Sequence, residues 1–206
     1  KMCIICSFVF KICYFIIRCK IKNCSRKMNE DGQYPAKCPS LSERMPEYVK
    51  KYDNALDHTL AYASSVCGPD HCEGRILKTI RFAKECGFKK IGLAFCVAVK
   101  DEAEQINRLF IENGLHVESV VCKVGHCDRG GVLGVTPSDN AMCNPIAQAE
   151  LMNEANTELN VVLGLCVGHD TLFIRHSKAP VTIIAAKDHV YNNAPLEFLK
   201  DMEAKC

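Results

Sequence analysis

The chain has 206 residues, 48% of them hydrophobic and 24% charged, with a formal net charge of +2. This length supports a core without disulfides or a structural metal, and the composition excludes a disordered chain. The balanced charge gives no general case for nucleic acid, a membrane surface or an acidic substrate as partner.

Cysteine is the outlier, at 15 residues. An odd count does not suit a fully paired secreted scaffold. Many of the cysteines end apolar runs, as in GLAFC, VVC and LGLC, so reduced thiols in the cytoplasm are expected.

Residues 2–17 are apolar but interrupted by Lys11. The stretch is shorter than the roughly 20 residues a membrane span needs, and no small-residue cleavage site follows. An interfacial anchor and non-native sequence upstream of a start such as Met28 are the rival readings. From Cys19 to about Arg44 the chain is polar and loop-like, with Pro35 and Pro39. The expected division is therefore an apolar, Cys-rich segment over 1–44 and a single α/β domain over 45–206. Cys13, Cys19, Cys24 and Cys38 supply four thiols for a second zinc or iron–sulfur site; free thiols are the competing reading.

Pro46 opens a helical pattern that runs to about Val66, and a second helix runs from Gly74 to Cys86, stopped by Gly87. The pattern then alternates. KKIGLAFC (89–96) reads as a strand, DEAEQINRLFIENG (101–114) as a helix and HVESVVCK (116–123) as a strand. A Gly-rich connection leads to a helix in CNPIAQAELMNEAN. LNVVLGLC (159–166) and PVTIIAAKD (180–188) follow as strands around a short helix at Thr171–His176, with a last helix near Pro195–Ala204. This alternation predicts a three-layer α/β fold: a mostly parallel sheet of four or so strands with helices on both faces.

In such a sheet, ligands bind at the carboxyl ends of the strands. Cys96, Cys122 and Cys166 each end a predicted strand. Cys143 precedes Asn144-Pro145, an N-cap followed by Pro at the first helical position. His169 lies three residues after Cys166. Cys96, Cys122, Cys143, Cys166 and His169 are therefore the candidate metal ligands, set against the ordinary role of a buried thiol as a small hydrophobe. Cys67, His71, Cys72, His126 and Cys127 form a weaker loop candidate through two C-x3-H-C matches. Cys86 is assigned to packing. Gly130-Gly131 lacks the context of a phosphate-binding loop.

The runs KKIGLAFC, SVVCK, MCNPIAQAELMNEA, LNVVLGLCVGHDTLF and KAPVTIIAAKD, between Arg75 and about Lys187, resemble an uncharacterised, mostly anaerobe-associated family, domain of unknown function eighteen-forty-seven. Its members are commonly labelled metal-binding proteins. The resemblance implies the same five positions, Cys96, Cys122, Cys143, Cys166 and His169, and assigns no reaction. The family also opens with a Cys-rich segment. Cys19, Cys24 and Cys38-Pro39 match its last three cysteines, while the first falls at Ile16.

Three functions follow. The first is an iron–sulfur or zinc protein whose strand-end site transfers electrons or acts as a Lewis acid, with a small-molecule substrate or redox partner. The second is a metal-independent thiol enzyme using Cys143 with His169 as its base. The third is a non-catalytic metal-handling or redox-sensing module.

Overall fold

The computed structural model describes residues 41–68, 73–136 and 140–203. The candidate second site at Cys13, Cys19, Cys24 and Cys38, the apolar stretch 2–17, and His71 and Cys72 lie outside them. Backbone contacts divide the chain into two units, Lys1–Ala61 and Tyr62–Cys206. Among the described residues no helix is long and apolar enough to cross a membrane.

Over residues 45–67 the helix expected from Pro46 onwards is broken. Helix α1 (Met45–Val49) passes into a 3-10 turn over Lys50–Asp53, and α2 (Ala55–Cys67) starts afresh. Asn54 makes the break. It is extended at ψ 130°, and its side-chain oxygen accepts from Leu56 N at 3.0 Å and Asp57 N at 3.2 Å. Local capping of this kind competes with helix continuation.

The second unit carries the α/β fold that the alternating pattern predicts. Its elements are α3 (Arg75–Glu85), β1 (Lys90–Phe95), α4 (Lys100–Glu112), β2 (His116–Val121), α5 (Arg129–Leu133), α6 (Pro145–Glu154), β3 (Leu159–Leu165), α7 (His169–His176), β4 (Val181–Ala186) and α8 (Glu197–Glu203). All strand pairs are parallel, in the order β2-β1-β3-β4. The chain leaves β1 outward to β2, then crosses back to β3, so the order reverses between β1 and β3. Right-handed crossovers place α4 on one face and α6 with α7 on the other, and α6 packs against α7.

β3 is buried along its whole length and β1 over Ile91–Ala94, as expected of central strands covered on both faces. Phe110 from α4, Met152 from α6 and Phe173 from α7 close the two sides of the core. Gly92 is required by packing. A Cβ there would collide with the Asn160 side-chain oxygen and Met152 Sδ.

One element was not expected. The Gly-rich connection holds the short helix α5, because Asp128 accepts from Gly130 N at 3.1 Å and Gly131 N at 2.7 Å and so supplies the N-cap that the two glycines lack.

Candidate functional site

Each of the four strands is followed at once by a chemically active side chain: Cys122 after β2, Cys96 after β1, Cys166 after β3 and Lys187 after β4. Register explains their neighbourhood. Phe95 pairs with Val121, so Cys96 and Cys122 leave their strands side by side; Leu165 pairs with Ala186, so Cys166 and Lys187 do likewise.

Cys143 is brought in from the start of α6. Asn144 N donates to Cys122 O at 2.7 Å, the Asn144 side chain caps Ala147 N at 3.0 Å, and the resulting corner sets Cys143 Sγ 3.6 Å from Cys122 Sγ. Cys122 and Cys96, leaving paired strand ends, lie close enough to influence one another's protonation. Three sulfurs from three separate elements thus form a row. Cys122 is 2% exposed and Cys96 8% exposed, while Cys143 and Cys166 are half-buried.

Gln148, fully buried one turn into α6, ties the row down. Its Nε2 donates to Val120 O at 2.7 Å and Phe95 O at 3.3 Å, bridging the ends of β2 and β1, while its Oε1 has no partner among the described residues.

The row ends on a cation. Lys187 Nζ donates to Cys96 Sγ at 3.0 Å, reaching past β3 from β4. Gly164 lies beside this path, with φ +62° at a register irregularity of β3; a Cβ there would meet Val99 Cγ2 at 3.0 Å and only touch Lys187 Cε, at 3.8 Å. A bulge beside a site that re-aims side chains is a recurrent device.

The thiols consequently differ. Burial pushes the Cys96 thiol up, but the Lys187 ammonium, the Ala98 N–H and the Cys122 thiol outweigh it and hold Cys96 below the ordinary value. Burial, with the neighbouring Cys143 and Cys96, pushes Cys122 up to about 12 against the Val97 N–H, which donates at 3.5 Å. Burial also raises Cys166, and Cys96 adds to that shift. Low-dielectric surroundings and near charges act here in opposite directions on adjacent groups.

His169 is the first residue of α7, in a tight turn where its N–H donates to Cys166 O at 2.9 Å. Together with Cys143 it lines a cavity of about 390 Å³ whose other walls include Lys123, Arg129, Asn140 and Met142.

The three other described cysteines stand outside the row. Cys127 accepts from Asn144 Nδ2 at 3.1 Å. Cys67 is buried, and it and Cys86 are both pushed up by burial. Lys187 was missed by sequence reasoning. Its signal was positional: in AAKD it stands directly after its strand, as Cys96, Cys122 and Cys166 do.

The donor chemistry suits a thiophilic metal, since the row supplies sulfur and no carboxylate. The 3.6 Å Cys122–Cys143 separation also approaches the tetrahedral edge of about 3.8 Å that zinc–thiolate bonds of about 2.3 Å imply. Among the described residues, however, no three His, Cys, Asp or Glu side chains stand as a group that would hold one ion without moving.

The model of a family described as protein of unknown function (DUF1847) matches residues 37–184. The chain belongs to this family. The match begins well before the Arg75 boundary of the sequence resemblance and takes in Cys38-Pro39. An uncharacterized protein of Methanocaldococcus jannaschii is 34% identical over 178 residues, which cover 84% of this chain and 90% of that protein.

Proposed function

We propose that this member of the DUF1847 family is a metal-binding protein whose cysteine row takes zinc or an iron–sulfur cluster at the carboxyl edge of the sheet. The observation that supports the reading most directly is the convergence of Cys96, Cys122 and Cys143, with two of the sulfurs 3.6 Å apart. Cys166 is the fourth thiol of the set and His169 a neighbouring nitrogen donor. A metal held there would supply Lewis acidity or a path for electrons. The chain's own residues do the rest: Gln148 fixes the ends of β1 and β2, Asn144 fixes Cys143 against Cys122, and Lys187 sets a positive charge against Cys96.

The test is anaerobic purification with metal and sulfide quantification and a visible absorption spectrum. Bound metal is expected to fall severalfold or more in Cys122→Ala and Cys166→Ala and to stay unchanged in Cys86→Ala, because loss of a ligand opens the coordination sphere whereas loss of a packing thiol leaves a small cavity. Equal metal content in all three variants sinks the reading.

One observation favours a second reading, a metal-independent thiol enzyme. Cys143 and His169 line one cavity, an arrangement that suits a nucleophile and its base. A Cys143→Ser variant that keeps its metal and loses an alkylation-sensitive activity would favour this reading, and His169→Ala would then lower thiol reactivity without lowering metal content.

A further inference from the structure

The cavity beside the row has a charge character that the cysteines do not explain. Of its described lining residues, Lys123 and Arg129 carry positive charge and none is acidic. Neither cation makes an ion pair among the described residues, although Asp128 adjoins Arg129 in the sequence and Asp170 adjoins His169. Asp128, next to Arg129, spends its two oxygens on Gly130 N and Gly131 N. Asp170, next to His169, accepts from Gly168 N at 3.1 Å and Thr171 N at 2.7 Å. Asp128 is thus fully committed to its own helix cap, and Asp170 accepts through its Oδ1 within its own turn. α6 adds to the field, because its N-terminus begins two residues after Cys143 and the positive end of a helix favours an anion.

The volume sets the size of the guest. At about 390 Å³ the cavity lies near the lower end of the roughly 300–1,000 Å³ range of small-molecule sites, too small for a polymer and large enough for a metabolite. The fork of Arg129 pairs with a planar or tetrahedral oxyanion through two parallel N–H bonds, whereas Lys123 acts as a point charge.

We propose that this cavity binds a small organic anion, carrying phosphate or carboxylate groups, between Lys123 and Arg129 and against Cys143 and His169. The inference deepens the proposed function by naming the substrate class of the same edge, and rests on it only in taking that edge as the working site.

The test uses the anaerobically purified chain, with pyrophosphate and citrate as probes and glycerol as the neutral control, read by calorimetry and by thermal shift. At least one anionic probe is expected to bind and raise Tm, glycerol to do neither, and the affinity to fall as salt is added. Binding of pyrophosphate alone assigns a phosphate group, and of citrate alone a carboxylate. Lys123→Ala and Arg129→Ala are each expected to weaken binding about tenfold or more, as loss of a charge-assisted bond does. Arg108→Ala, on the outer surface of α4, should leave it unchanged. The proposal is overturned if neither anion binds, if glycerol binds as well as they do, or if both cavity variants bind like wild type. Metal content measured on the same samples separates the two readings. It should be unaltered in Lys123→Ala and Arg129→Ala, and a metal-free chain that binds an anion through Arg129 would remove the metal reading and leave this one standing.

Discussion

The two ends of the one sheet handle polarity in opposite ways. At the amino end, the Glu158 carboxylate accepts from Lys89 N at 2.6 Å and Lys90 N at 2.8 Å, while Lys90 Nζ donates to Ala155 O at 2.6 Å. Fully buried Asn160 takes a bond from Thr157 Oγ1 at 2.7 Å and gives one to Ser177 Oγ at 2.7 Å. Every one of these groups is hard, oxygen or nitrogen, and satisfied. At the carboxyl end the groups are soft sulfurs, three of them with shifted protonation, one cation reaching across a strand, and an amide oxygen on Gln148 with no partner among the described residues. A buried polar network that is complete holds strands in register; one left incomplete is a place for a ligand. The amino end is built as structure, and the carboxyl end is where open parallel sheets place their ligand sites.

Substitutions at the two ends should break along this line. Asn160→Ala leaves a fully buried position empty, leaves Thr157 Oγ1 only its longer bond to Met152 O at 3.2 Å and removes one partner of Ser177 Oγ, and should cost about 2–3 kcal/mol of unfolding free energy in urea titrations. It should leave the cysteine edge intact, with thiol reactivities as in wild type. A loss below half a kilocalorie would show that the amino-end network is dispensable.

Gly164→Ala joins the two classes. The left-handed backbone and the contact with Val99 should cost about 1–3 kcal/mol. Relaxation of the strained β3 backbone beside Lys187 should also loosen its bond to Cys96 and move the Cys96 pKa upwards, which no amino-end substitution should do.

Lys187→Ala sharpens the comparison further, with a smaller effect on stability. The thiolate is the reactive form, so a lowered pKa places the midpoint of the Cys96 alkylation rate at lower pH than that of Cys86, which burial raises. Without the ammonium, the Cys96 midpoint should rise towards or above the ordinary thiol range. An unchanged pH profile would detach Lys187 from the site. The smallest effect belongs to Cys86→Ala, expected to cost under about 1 kcal/mol and to alter neither end.

Much of this division was legible in the sequence. Strands β1 and β3 declared themselves by continuous apolar runs, and the stops at Gly87 and Gly114 hold, with φ of +75° and +81°. The cysteine edge was legible because Cys96, Cys122 and Cys166 follow apolar runs directly and Asn144-Pro145 announces a helix start beside Cys143. Three features were hidden for physical reasons. Lys187 reads as an ordinary surface lysine until the order β2-β1-β3-β4 shows that it reaches past β3 to β1. Asn160 interrupts an apolar strand without revealing that Thr157 and Ser177 wait for it. The break at Asn54 was masked by an apolar spacing that continues across it, since periodicity records which face is apolar and not whether the backbone is continuous.

Arg75 carries a consequence for assembly. Standing at the start of α3, before the first strand, it hydrogen-bonds Ile183 O and, at 3.2 Å, Thr182 Oγ1 on β4, the last strand, 108 and 107 residues away. A contact of such long sequence separation forms late, because the loop-closure entropy of most of the domain must be met before it is made. The clasp also covers carbonyl and hydroxyl groups on an edge strand that would otherwise be open to another chain. Synthesis from the N-terminus makes this arginine early and its partner nearly last, so the outer edge of the sheet is guarded only once the whole domain has been made. A ribosome-stalled or C-terminally shortened chain lacking β4 would present β3, buried along its whole length in the finished domain, as a naked edge. Such fragments are expected to aggregate through this edge, as an exposed apolar strand does.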